Sequence, residues 1–150
     1  MDDVLALDRQ VCFALAVASR SVIAVYRPLL EPLQLTHPQY LVMLALWERS
    51  PRSVKDLSGA LRLDSATLSP LLKRLEALGY CSRRRSSDDE RMLTVELTAL
   101  GRELRAEAEK IPPAVVDRLG MDVSELIELH RVLTRVIGAT GRLPDHASRT

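Results

Sequence analysis

The chain has 150 residues, 47% of them hydrophobic and 27% charged, with a formal net charge of +1. That length supports one compact domain with a real core, and the composition excludes a disordered chain. A charge near zero excludes a global pull toward nucleic acid, so any DNA binding must come from charge gathered on one face.

Met1-Asp2-Asp3 is an acidic start where a secretory signal needs a basic one. Val4 through Val25 is rich in Ala and Val with few charges, and Arg27-Pro28 is expected to interrupt this first helix. Ser19, Arg20 and Ser21 break its apolar run, so no membrane span is expected. Apolar residues cover most of its circumference, which predicts burial nearly all round, against a second copy of itself.

Thr36-His37-Pro38-Gln39 reads as a capping box, opening a core helix through Tyr40, Leu41, Leu44 and Trp47. Ser53, with Asp56 three residues on, caps a short helix ending near Leu61. Leu63-Asp64-Ser65 supplies a turn and a cap, and Ala66 to Leu78 forms a further helix closed by Gly79. Two helices across a tight polar turn make a helix-turn-helix. After Gly79 the period becomes alternating. Tyr80–Arg85 and Met92–Leu97 are expected as strands, with Leu93, Val95 and Leu97 on one face and residues 86–91 as a polar hairpin tip.

Thr98 caps a helix running to about Lys110, where Pro112-Pro113 stops it. Asp122 and Glu125 then open a last helix through Leu126, Leu129, Leu133 and Val136. The expected architecture is mainly α with a small β wing: a winged helix-turn-helix over about 36–98, with terminal helices over about 4–30 and 112–138 forming a dimerisation region. These make one domain over 1–140, followed by a flexible tail over 141–150.

The second helix of a helix-turn-helix enters the major groove, with residues near its N-terminus at base edges. Here that end offers Ser65, Thr67 and Ser69, with Lys73 and Arg74 one turn on. The wing brings Arg83, Arg84 and Arg85 along one strand and Arg91 at the tip, where Asp89 could hold it extended; such an arginine suits a narrow minor groove. Each piece alone also reads as a solvated face or as charges keeping an edge strand soluble. Their order along the chain is what favours DNA.

Cys12 and Cys81 are too few and too far apart for a disulfide framework or a zinc pattern, which leaves no metal or cofactor to expect. Reduced thiols fit a cytoplasmic protein. A cysteine on an apolar helix is commonly an inert small hydrophobe. Around Cys12, Arg9 favours a thiolate and Asp8 opposes it; with Asp8 as N-cap, the helix dipole would help. Donors to the sulfur would have to come from elsewhere, and Tyr26, His37 and Tyr40 are the plausible suppliers. Core packing for Tyr40 and simple exposure for His37 are the alternatives.

Four segments, Leu7–Phe13, Tyr26–Leu30, Pro38–Leu41 and Leu63–Arg74, together with Asp89 and Arg91, carry a resemblance. The chain resembles the MarR family of winged-helix repressors, and more closely its organic-hydroperoxide sensors, the OhrR group, over about 7–137. The resemblance implies that Cys12 is the peroxide-reactive cysteine at a homodimer interface, and that Tyr26 of the partner subunit hydrogen-bonds its sulfur. The family's second sulfur-binding tyrosine falls at His37, and a further interfacial tyrosine at Ala16. An imidazole at His37 could donate to the thiolate, most strongly when protonated, which predicts a pH-dependent sensor. The resolving cysteine of two-cysteine members has no counterpart after Cys81, so Cys81 is read as structural.

The resulting expectation is a non-enzymatic, cytoplasmic repressor that binds an inverted-repeat operator in double-stranded DNA. It would release that operator when an organic hydroperoxide oxidises Cys12 and a small cellular thiol caps the product as a mixed disulfide. Two alternatives stay open: a MarR-type repressor released by a small lipophilic or phenolic ligand, and a thiol peroxidase.

Overall fold

The computed structural model describes residues 3–85, 88 and 92–141. Asp89, Arg91 and most of the expected tail lie outside the described residues. The chain divides into two compact units, Met1–Pro112 and Pro113–Thr150.

The first unit opens with a 3-10 turn at Leu7–Arg9 and then α1, Val11–Leu30. Two expectations fail here. The helix begins at Val11 rather than Val4, with Gln10 as N-cap, and it runs through Pro28 to Leu30. A proline costs a helix one N–H and crowds the carbonyl four residues back. In the last turn before a stop, that cost is small. Ser19, Arg20 and Ser21 do not interrupt the apolar character enough to exclude a span: Val11–Leu33 is long and apolar enough, by length and composition, to cross a membrane. Within the chain Leu30 is the one buried residue of α1, and the residues of its first turn are exposed.

The central element is α2, His37–Glu48, which packs on α1, on α3 (Val54–Leu61), on α4 (Ser65–Ala77) and on α5 (Ala99–Ala108). The expected capping box is present: the Thr36 N–H donates to Gln39 Oε1 at 3.0 Å, and the Gln39 N–H to Thr36 Oγ1 at 3.5 Å. Tyr40, Val42, Met43 and Leu46 are buried, whereas the expected core residue Leu44 is 40% exposed.

Ser53 caps α3 by accepting from the Asp56 N–H at 3.0 Å, and Asp64 caps α4 by accepting from the Thr67 N–H at 2.7 Å. Between the two helices Arg62 takes a left-handed φ of 54°. Helix α4 closes as a Schellman motif, with the Gly79 N–H donating to Glu76 O at 2.9 Å, the Tyr80 N–H to Leu75 O at 3.0 Å, and Gly79 at φ 82°. Leu68, Leu72 and Leu75 anchor α4 to the core.

Strands β2 (Cys81–Arg85) and β3 (Leu93–Leu97) pair antiparallel, Cys81 opposite Leu97 and Arg83 opposite Val95. A third strand, β1 (Arg52–Ser53), pairs with the other edge of β3, giving the order β1-β3-β2. Two residues carry no alternation, so β1 had no sequence signal. Val95 and Leu97 are buried as expected, but Leu93, nearest the tip, is 38% exposed.

Thr98 ties the wing to the helices. Its Oγ1 accepts from the Gly101 N–H at 3.1 Å and donates to Gly79 O at 2.5 Å, while its N–H donates to Tyr80 O at 3.1 Å. Replacing Thr98 by alanine removes a helix cap and a wing tether together. A loss of roughly 1–2 kcal/mol is expected, read as a lower urea midpoint at unchanged slope.

Pro112-Pro113 was expected to stop a helix and in fact starts one, α6, Ile111–Leu119. First-turn N–H groups have no helical partner, so prolines lose nothing there. In the second unit α7, Val123–Thr140, is opened as expected by Glu125, whose Oε1 accepts from the Asp122 N–H at 3.3 Å. No residue of α7 is buried, and Ile127, Leu129 and Ile137 are among its exposed apolar side chains.

Candidate functional site

On α4 the three leucines face the core, and Ser65, Ala66, Thr67, Pro70, Lys73 and Arg74 are exposed. Ser69 is only half-exposed. Ala66, Pro70 and Lys73, spaced i, i+4 and i+7, share the outward face opposite the leucines. Neither Ala66 nor Pro70 carries a hydrogen-bonding side chain, so the sequence offers no polar signal at either position. Asp64 keeps its carboxyl below the usual carboxylate range through the Thr67 hydrogen bonds, so the cap stays charged at neutral pH.

The wing arginines divide into different environments. Arg83 is part-buried and pairs with Glu76 of α4, bracing the wing against that helix. Arg84 is exposed and lies 3.2 Å from Glu96. Arg85 is exposed at the end of β2. Cys81, beneath them, is 3% exposed, and its thiol is pushed up to about 11 by burial first and by Glu76 second. A buried neutral thiol is inert, in keeping with a structural role.

Cys12 is exposed, at the second position of α1. The first intrahelical bond runs from the Ala14 N–H to Gln10 O at 3.1 Å. The N–H groups ahead of it point out of the helix start, where an anion is favoured. Tyr26 lies fourteen residues further along the same helix, about 21 Å away at 1.5 Å per residue. One chain therefore does not bring Cys12 to Tyr26.

Tyr26 instead meets His37 and Tyr40. The Tyr26 and His37 rings stand edge-on with centroids 5.0 Å apart; Tyr40 lies 5.8 Å from Tyr26 and 6.3 Å from His37. A cavity of about 440 Å³ opens beside them, lined by Ile23, Arg27, Glu31, Leu35 and His37 among others. Burial raises both tyrosines and lowers His37 from 6.5, so at neutral pH the imidazole is uncharged and can donate through only one nitrogen.

That shift makes a stability prediction. Folding favours the neutral ring, so the stabilisation is complete above the ordinary histidine value and is lost as pH falls through and below it. Urea midpoints of the wild type should drop between about pH 7 and 5 more steeply than those of His37→Phe.

Among the described residues no group of His, Cys, Asp and Glu is arranged to hold a metal ion.

Comparison with known proteins places this geometry in context. The profile of the SarA/Rot transcriptional regulators matches residues 24–108, more than half of the chain. The chain is 46% identical over 124 residues to the HTH-type transcriptional regulator TtmR of Methylorubrum extorquens, covering 83% of this chain and 64% of that protein. It is 41% identical over 127 residues to the organic hydroperoxide resistance transcriptional regulator of Bacillus subtilis, covering 83% of this chain and 86% of the relative. Among solved structures, reduced AbfR bound to DNA matches with a TM-score of 0.79 and 32% identity, over 90% of this chain and 92% of that one. AbfR, from Staphylococcus epidermidis, is also described overoxidised on DNA and in a disulfide form.

Proposed function

The chain belongs to the SarA/Rot-type, MarR-family winged-helix transcriptional regulators, and from that premise we propose that it is a homodimeric repressor released from its operator by organic hydroperoxides. It is a DNA-binding regulator, and no enzymatic family is indicated among its relatives. In the proposed assembly α4 lies in the major groove, with Ser65, Thr67 and Ser69 near base edges and Lys73 and Arg74 on phosphates. Arg84 and Arg85 of β2 approach the minor groove.

The observation that carries the sensing proposal is the separation of Cys12 from Tyr26 along one continuous helix. The sulfur and its phenol donor can meet only between two copies, with Cys12 of one beside Tyr26 and His37 of the other. The bare apolar surfaces of α1 and α7 are what a second copy would cover. The thiolate attacks the terminal oxygen of ROOH. An S–O bond forms, the O–O bond breaks, and the alkoxide takes a proton and leaves as ROH, giving Cys12 sulfenic acid. A small cellular thiol then condenses with it, releasing water and leaving a mixed disulfide. The added bulk forces the interface apart and changes the spacing of the two α4 helices.

The test is operator binding by wild type and Cys12→Ser, each with and without an organic hydroperoxide. Wild type should dissociate and Cys12→Ser should stay bound; release of the serine variant would refute the sensing role. The cavity beside His37 favours, as a second reading, a repressor released by a small lipophilic or phenolic ligand. Release by such a compound that persists in Cys12→Ser would select that reading.

A further inference from the structure

Proline in a helix interior removes a hydrogen bond and costs on the order of 3 kcal/mol relative to alanine. Pro70 is the sixth residue of the thirteen in α4, and it is exposed. It fills no core space, it ends no helix, and α4 continues for seven residues beyond it to Ala77. A local rule broken without a packing gain points to function. Its position says which function: Pro70 sits one turn beyond Ala66 at the centre of the outward face, between the N-terminal hydroxyls and the Lys73 ammonium. That is the part of a recognition helix that meets base edges.

Neither Ala66 nor Pro70 can hydrogen-bond a base through its side chain. The one major-groove feature an apolar side chain reads directly is the 5-methyl group of thymine. A pyrrolidine ring suits this contact because it has no rotamer freedom to lose on binding. We infer that Pro70 is a base-specificity determinant of this regulator, its ring packing with the Ala66 methyl against a thymine methyl in each half-site. The inference rests on the reading of α4 as the recognition helix and adds the base that helix selects.

The probe is a duplex chosen by the wild-type protein from a random-sequence DNA pool, with each thymine replaced singly by uracil. That change deletes one methyl and no hydrogen-bonding group. For wild type, uracil at one thymine of each half-site should raise Kd about fourfold, the worth of one buried methyl. In Pro70→Ser the same replacement should be neutral, with the thermal midpoint not lowered, since serine restores the helical N–H.

A uracil penalty absent in wild type, or equal in both proteins, overturns the inference. So does a lost preference that tracks an adenine or cytosine amino group, because that assigns the effect to the Ala66 carbonyl freed by the proline. Lys73→Ala separates the two levels: it should weaken every duplex alike and flatten the salt dependence. If it does so while the uracil result fails, the thymine contact alone is wrong. If neither variant changes binding, α4 is not the recognition helix and the inference falls with it.

Discussion

Gly101→Ala should destabilise the first unit by about 3 kcal/mol, lowering its thermal midpoint by roughly 10 °C. A Cβ built on Gly101 would stand 2.0 Å from the Tyr80 carbonyl oxygen and 3.0 Å from its carbon. Both are backbone atoms, so no rotamer change relieves the clash, and α5 must move away from the start of β2. That movement strains three bonds together: the Trp47 Nε1–H to Gly101 O bond at 2.9 Å, the Gly101 N–H to Thr98 Oγ1 bond, and the Thr98 bond to Gly79 O. Gly79 closes α4, so the same disturbance reaches that helix. Gly59→Ala supplies the contrast. Nothing lies within 4 Å of a Cβ there, and Gly59 lies inside α3. Alanine at that position should stabilise by about 0.5–1 kcal/mol through helix propensity alone. Thermal melts of the two variants, side by side, check both signs. A Gly101→Ala protein melting with the wild type would show that the close approach of α5 to Tyr80 is not needed.

The Gly101 contact also shows where sequence reading stops. Caps at Thr36, Ser53, Asp64, Thr98 and Glu125 were legible because each is written within four residues and satisfied within four residues. The Gly101–Tyr80 approach joins an N-terminal helix turn to the residue just ahead of β2, twenty-one positions earlier, and a single glycine in a helical pattern gives no hint of it. Prolines misled for a related reason. Their local cost is fixed, but its consequence depends on position: Pro28 falls in a last turn, and Pro112 and Pro113 fall in a first turn.

At the site, residue types were legible and their partners were not. Cys12 and Tyr26 stood out by resemblance, but only the unbroken course of α1 shows that one chain keeps them apart. Arg83 reads from sequence as a groove contact, and its pairing with Glu76 of α4 has no signal at that distance along the chain. His37 read as a residue whose protonated form might hold the thiolate. Its burial among Tyr26 and Tyr40 favours the neutral ring, which shifts any charged role to acidic pH.

Leu129→Glu should abolish high-affinity operator binding. Leu129 is 46% exposed on the apolar side of α7, a helix with no buried residue. An amphipathic helix with a bare apolar face is stable in water only when that face is covered. In the proposed homodimer it is covered by the second copy, and twofold symmetry buries the substituted glutamate twice. An unpaired buried carboxylate costs several kcal/mol after relaxation. At about 3 kcal/mol per copy, the dimer dissociation constant rises about ten-thousand-fold. A monomer reaches one half-site instead of two spaced about one helical turn apart, so the affinity gained by linking them disappears. Size-exclusion chromatography with light scattering should show a monomer near the 16.7 kDa chain mass. Arg135→Glu changes charge by two on the polar side of the same helix, away from its apolar stripe, and should leave the dimer and its operator affinity intact. A Leu129→Glu protein that remains dimeric and binds operator normally would remove α7 from the interface. Covering the apolar surface of this chain would then fall to α1 alone, and the charge would have to be introduced there, at Val11 or Phe13, to dissociate the dimer.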